Sequence, residues 1–500
     1  MYSEKEYQIK IRKLEREIER LNKKKKLDKE SLSELRLSVK RLKQRVKELK
    51  QSRDNWKNKQ KDKQQENKLL KAKIANSEKV ARHPYGVSLM RLCVLLRVIG
   101  GCSYRGVIRV LKVLVLCKLL TLTKLPCANT VQNWTSKLGL KGLQQAVKEP
   151  ISQEVTLIVD ECIRKGKEKQ LIVLLAPFEK VKEGALSFQD VQLVYMEGSE
   201  SWKGQQIKQT LSFLLDSPDL EIKNVLSDQG GNLVNFSKLI EQIHIPDIAH
   251  GVATCLKKTF LKDPDYKSFI SLIGTYIQKG VNQDLSYLCP PKLGKKARFM
   301  NQEDIVSWAK TLTERISKLD EKSNAFFAQL PQYTTMIHHL SSCIDLGKRI
   351  QVPLKKQGAS KETLVAAKQV IGEGKRQGDY AKIFVTYLEE YLFTYEKFIN
   401  QHTVTNIHVS SDIIESLFGK YKSIANHSAL TGLTKLNLEL VTYCMNTSKL
   451  VTLIPIALED IYMSDLENWV IEHSSENQLI KRRKFFEKTT IKTEKKSVLN

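Results

Sequence analysis

VTLIVDECI (155–163), followed by KQLIVLLAPF (169–178) and VQLVYMEG (191–198), is the stretch on which the fold turns. Each is a short run of Val, Ile and Leu bounded by charged or turn residues, which reads as a buried strand. RKGKEK (164–169) between the first two reads as a turn. A helical stretch over 201–215 follows, then IKNVLSD (222–228) as a strand and 233–241 as a helix. IHIPDIAH (243–250) reads as a further strand before a helix over 252–260. Three successive strands, a helix, and then alternating strand and helix predict an α/β sheet.

Three acids stand out against this pattern: Asp160 in LIVDECI, Asp228 in VLSDQGG and Glu415 in SSDIIESLFGKYK (410–422). The first two sit at or near strand ends, and Glu415 lies in a segment of helical character that opens with Ser and Asp. No Cys or His cluster accompanies them. Carboxylates facing one another from strand ends and a helix suit a hard cation such as Mg²⁺, which takes oxygen ligands and keeps several waters. An isolated Asp after a strand is also an ordinary turn or cap residue. Adjacent strand residues point to opposite faces, so Glu161 is expected away from Asp160, and Asp412 suits the first turn of a helix.

Around the strands the chain divides by composition. Residues 1–83 lack Pro and Gly and carry a heptad seam: Ile11, Leu14, Ile18, Leu21, then Leu32, Leu35, Val39, Leu42, Val46, Leu49 and Trp56. This predicts a basic coiled coil that self-associates. Residues 1–82 hold 28 Lys and Arg against 13 Asp and Glu, more than half of the whole chain's net +28. Such an excess is most simply used against phosphates. Helices over 88–99, 103–116 and 129–138 predict a helix-turn-helix domain at 84–145, with Val131 and Trp134 inward and Asn129, Gln132, Asn133 and Lys137 facing a DNA groove.

The sheet region spans 150–262, and a helical stretch over 263–400 carries no strand signal. Glu415 lies 187 residues beyond Asp228, so 263–400 reads as an insertion, with the core resuming at 401–450. The alternative is that the sheet domain ends near Phe260 and a separate helical domain follows. Residues 451–500 read as a helical segment and basic tail. The nine cysteines include no CxxC pair, which argues against a zinc ribbon or disulfide framework. The most apolar stretch, 107–125, is broken by Arg109, Lys112, Lys118 and Lys124. These features predict no membrane partner and a cytoplasmic, nucleoid-associated protein.

The order of Asp160, Asp228 and Glu415, together with the preceding helices and the long insertion, resembles the DDE transposases of bacterial insertion sequences, within the retroviral integrase superfamily. SWKGQQI (201–207), SDQGGNL (227–233), PDIAHGVATCLKK (246–258), PPKLGKKARFMN (290–301) and SSDIIESLFGKYK carry the likeness, over roughly residues 84–444. The resemblance implies an RNase H-like catalytic core whose central first strand bears Asp160. It implies cleavage at transposon ends and joining of the freed 3′-OH to target DNA. Asp160 would bridge two Mg²⁺ ions, with Mn²⁺ a possible substitute, while Asp228 and Glu415 each complete one shell. Asp247 and His250 reproduce an Asp-x-x-His spacing found in some of these families, open to an orienting or a purely structural role. Trp202 and Lys203 are candidates for contact with the DNA end, and Arg298, Lys420 and Lys422 for contact with phosphates. Two other functions fit the same residues: a sequence-specific or architectural DNA-binding protein that no longer cuts, and a structure-selective nuclease of the same fold.

Overall fold

The apolar runs form strands because their branched side chains fit a pleated surface buried on both sides. The computed structural model describes residues 4–23, 29–75, 83–122, 124–163, 169–180, 184–282, 284–292, 299–402, 404–425, 433–474 and 481–486. The chain is mostly helical around a mixed five-stranded sheet. It divides into two units, Met1–Leu92 with Arg105–Pro126, and Cys93–Tyr104 with Cys127–Asn500.

In the first unit, helices α1 (Glu4–Lys23) and α2 (Lys29–Ala75) pack against each other. Ile11 and Val39 are buried, Leu14, Ile18, Leu35, Leu42, Val46 and Leu49 are half-buried, and Lys43 Nζ lies 2.7 Å from a Glu15 carboxylate oxygen. The heptad period therefore marks the right face, but its partner here is the same chain. A periodic stripe specifies a buried face without naming what covers it. Every side chain over 51–65 is exposed, including Trp56. Helix α3 (Val87–Val98) begins in this unit, and α4 (Tyr104–Leu116) supplies buried Val107 and Leu111.

In the second unit, α5 (Ala128–Lys148) precedes β1 (Glu154–Ile163), β2 (Lys169–Pro177) and β3 (Gln192–Ser199). Helices α6 (Gly204–Thr210) and α7 (Ser212–Leu215) lead to β4 (Glu221–Ser227), α8 (Gly231–Leu239) and β5 (Ile243–Pro246). The strand order is β3-β2-β1-β4-β5, so β1 is central, antiparallel to β2 and parallel to β4. Alternation places Val155, Leu157 and Val159 on one face, where they join Leu171, Val173, Leu175, Trp202, Ile207, Leu211, Leu233 and Phe236 in a buried core. Each such side chain contributes about 1.5–3 kcal/mol when fully buried. The opposite face carries Asp160, directly across from Ile172, and Gln170.

Helix α9 (Ile248–Phe260) follows β5 at once, so the strand read over 243–250 is only half strand. Pro246 ends it, and Asp247 caps the helix by accepting from the His250 amide at 2.9 Å. The stretch from 263 is helical: α10 (Pro264–Asn282), α11 (Gln302–Arg315), α12 (Glu321–Phe327), α13 (Thr334–Gln357), α14 (Lys361–Gly374) and α15 (Asp379–His402). Strands β6 (Ala359–Ser360) and β7 (Asn406–Ile407) pair within this region. Helices α13 and α15 pack on α9, and the Tyr395 hydroxyl donates to the Pro246 carbonyl at 2.6 Å. The helical stretch is thus joined to the end of β5. Helix α16 (Asp412–Ala425) returns to pack on β1, and α17 (Glu439–Tyr443), α18 (Thr447–Asp460) and α19 (Met463–His473) follow.

Helix α5 runs ten residues past the expected Leu138 and packs along β3, α17 and α18. Gly139 permits this, since a Cβ there would overlap the Leu438 carbonyl oxygen. Gly139→Ala should lower stability by about 1–3 kcal/mol through overpacking, read as an earlier urea-unfolding midpoint. An unchanged midpoint means that the α5 contact is looser than described.

Candidate active site

Asp160 stands near the end of the central strand, on the face that α16 covers. Its Oδ1 accepts from the Glu161 amide at 2.7 Å. Glu161, on the other face, takes Lys169 Nζ at 2.5 Å, and this cross-strand pair keeps it from the acids around Asp160. Asp228 follows the parallel neighbour β4, where Ser227 donates its hydroxyl to the Asp228 carbonyl at 2.9 Å and lies 2.8 Å from His244 Nε2. Asp228 Oδ1 accepts from the Gly230 amide at 2.8 Å, which fixes the turn into α8.

Glu415 approaches from the first turn of α16. Its Oε1 lies 3.3 Å from His250 Nε2 on α9. Asp247, 1% exposed, holds both helices: Oδ1 takes the His250 amide, and Oδ2 takes the Ser411 amide at 2.6 Å and hydroxyl at 3.0 Å. The Asp247 amide itself donates to the Ser227 carbonyl at 2.9 Å, and the Ile248 amide donates to the Val409 carbonyl at 2.9 Å. One residue thus ties the end of β4, through its amide, to the starts of α9 and α16, through its carboxylate.

The electrostatics follow. Burial, and then the Asp228 carboxylate, push the Asp160 carboxyl up from 3.8 to about 7, with Glu415 adding to the rise. The bond to Glu415 raises the His250 imidazole to about 9, and in return His250 holds the Glu415 carboxyl below its usual range, helped by Lys355 and Lys422. Asp160, Asp228, Glu415 and His250 therefore act on one another across one site. Among the described residues no three His, Cys, Asp or Glu side chains are grouped as metal ligands. The donors nevertheless suit a hard divalent cation: three carboxylates, of which the two at the strand ends meet only amide donors among the described residues.

The other expected contacts fall unevenly. Asn129 is exposed and Gln132 and Asn133 are half-buried, whereas Lys137 is 8% exposed and does not face a groove. Every residue over 134–140 is buried, because α5 continues into the packing of the sheet unit. Trp202 is a core side chain, 1% exposed, with Nε1 donating to the Lys169 carbonyl at 3.2 Å. Packing and that hydrogen bond account for it, and it presents no face to DNA. Lys203, Lys420 and Lys422 are exposed; Lys420 lies over the Tyr443 ring at 5.3 Å. Arg298 lies outside the described residues. Two residues escaped the sequence reading: Ser411, hidden in an ordinary helix-opening Ser-Ser-Asp, and Lys355, whose only signal is a Lys-Lys-Gln-Gly helix end. The chain matches no protein-family model, and no curated protein matches it.

Between about pH 3.8 and 7 the folded chain keeps a proton on Asp160 that the unfolded chain has released. Stability from this group therefore falls as pH rises through that window. Asp160→Asn should flatten the fall, seen as a smaller drop in the thermal midpoint between pH 4 and 7 than the wild-type chain shows (window taken from the ordinary and raised values). An equal drop in both proteins would place the titration elsewhere.

Proposed function

We propose that this chain is a DNA transposase with an RNase H-like core, cutting DNA at transposon ends and joining the freed 3′-OH to target DNA. The observation that carries the reading is the convergence of Asp160, Asp228 and Glu415, from the central strand, its parallel neighbour and a helix some 190 residues on, into one electrostatically coupled site. The β3-β2-β1-β4-β5 order with a central β1 supports the same core.

Asp160, Asp228 and Glu415 would hold Mg²⁺, or Mn²⁺ in its place. When bound, the metal supplies Lewis-acid stabilisation of the scissile phosphate and of the attacking and leaving oxygens. The chain's own work is positional. Asp247 fixes the spacing of α9 and α16, so Glu415 is presented to the strand acids at a set height. His250 holds the Glu415 carboxylate ionised. Lys422, on the exposed side of α16 and within the field of Glu415, is placed to take a backbone phosphate. Asn129, Gln132 and Asn133 remain the groove-facing candidates on α5. Exposed residues 51–65 of α2 offer the surface through which two chains would pair to bring two DNA ends together.

Replacing Asp160, Asp228 or Glu415 by Ala should each abolish strand cleavage and strand transfer, by on the order of a thousandfold or more, with losses that do not add in pairs. End binding should survive. Glu161→Ala should keep substantial activity. Should all three variants cut normally in Mg²⁺, the transposase reading fails. A wild-type chain that binds ends yet never cuts identifies the DNA-binding alternative, and one that cuts without joining identifies the nuclease. Light scattering on residues 1–83 should show a dimer or larger species; a strict monomer removes the pairing surface.

A further inference from the structure

Lys355, near the C-terminal end of α13, reaches the first turn of α16 and spans the Asp412 carboxylate with Nζ at 2.8 and 2.6 Å from its two oxygens. Asp412 and Glu415 are three residues apart on one helix face. The ammonium is therefore carried by the helical insertion to the edge of the acid site, close enough to lower the Glu415 carboxyl.

Its backbone is held firmly. Gly358, at φ +86°, ends α13 in the left-handed region, and a Cβ there would overlap the Asn406 side chain. Directly after it β6 pairs with β7, Ala359 opposite Ile407. Ile407 also bridges to Glu179, just past the end of β2, and the Lys180 amide donates to the Asn406 carbonyl at 3.1 Å. Asn406 Nδ2 donates to the carbonyls of Gln357 and Lys180, and the Gly184 amide donates to the Lys356 carbonyl at 2.8 Å. This small sheet fastens the last turn of α13 to the sheet domain within three residues of Lys355. Such anchoring exceeds what a rim ion pair needs, because a pair of this exposure is worth only about 0–1 kcal/mol. The side chains remain accessible, Lys355 at 22% and Asp412 at 43%.

We propose that Lys355 is a DNA-phosphate contact of the site, and that Asp412 is its placeholder, holding the ammonium until a backbone phosphate displaces the carboxylate. The inference rests on the DNA reading above and extends it to a residue of the insertion. A phosphate oxygen offers the ammonium the same charge-assisted bond as a carboxylate oxygen. The exchange therefore leaves Lys355 paired and frees Asp412 to solvent. The insertion thereby senses the strand lying against Glu415, which gives a separate helical element a direct part in placing the scissile phosphate.

Binding of a random-sequence DNA duplex, measured across a salt series with Mg²⁺ withheld, tests the exchange. Lys355→Gln should weaken binding and shrink the slope of log affinity against log salt by about 0.9, the value of one lost phosphate contact on B-DNA. Lys355→Arg should keep the slope. Asp412→Asn retains the lysine and removes its competitor, so it should bind more tightly at each salt concentration with the slope undiminished. This arm stands even if Lys355→Gln folds poorly. An unchanged slope in Lys355→Gln, or unchanged or weaker binding in Asp412→Asn, overturns the proposal and leaves the pair a structural tie. Failure of the wild-type chain to bind duplex DNA at all overturns the DNA reading itself, and the inference with it.

Discussion

The arrangement of the acid site depends on one buried carboxylate, that of Asp247. An ionised group taken out of water is costly unless donors replace the lost hydration. Asp247 receives three, the amides of His250 and Ser411 and the Ser411 hydroxyl, with no cation needed. Hydrogen bonds to a charged acceptor are worth about 1.5–3 kcal/mol each, so the chain gains by presenting both amides at this one point. The bond also closes a separation of 164 residues between Asp247 and Ser411. Loop-closure entropy grows only with the logarithm of length, and the intervening helices pack on α9 and β5, so a large insertion leaves the joint intact.

The joint makes the site electrically lopsided. On the helix side, Glu415 has His250 beside it and the fields of Lys355 and Lys422 around it, and its carboxyl is lowered. On the strand side, burial and the Asp228 carboxylate raise the Asp160 carboxyl, outweighing the Glu161 amide and His250. Two acids of one site are thus driven in opposite directions by environment alone. The uncompensated charge lies at the ends of β1 and β4, where a parallel pair of strands brings both acids to the same edge of the sheet.

Much of this was legible in the chain. The β-branched runs located all five principal strands, and the stretch expected to be helical between Asp228 and Glu415 is, among the described residues, helical from Pro264 to His402 apart from links and β6. The failures share a physical cause. Apolar periodicity says which face is buried and never against what, so the heptad seam alone does not show that α1 and α2 of one chain pack on each other. Local pattern cannot reveal that α5 continues into the sheet unit and buries Lys137, or that Trp202 completes the core beside Ile207. Asp247 looked like the tail of a strand, since a residue that ends one element and caps the next carries the signature of both. Lys355 was invisible for a simpler reason: its meaning comes from Asp412, 57 residues away.

Charge distribution sets a final constraint on any phosphate-bearing partner. More than half of the net +28 resides in residues 1–82, while the acid site gathers Asp160, Asp228, Asp412 and Glu415. At physiological ionic strength charges beyond about 8 Å are largely screened, so only cations close to the acids can offset them. Two like charges about 5 Å apart repel by roughly 3 kcal/mol at an effective dielectric of 20. A phosphate brought to the strand ends meets that repulsion more than once. Cations must therefore stand at the site itself, and among the described residues His250, Lys355 and Lys422 act on Glu415. His250 also pulls the Asp160 carboxyl down, but burial and the Asp228 carboxylate outweigh it. A divalent ion would accordingly have the most charge to neutralise at the strand ends, and Lys355 and Lys422 stand on the helix side.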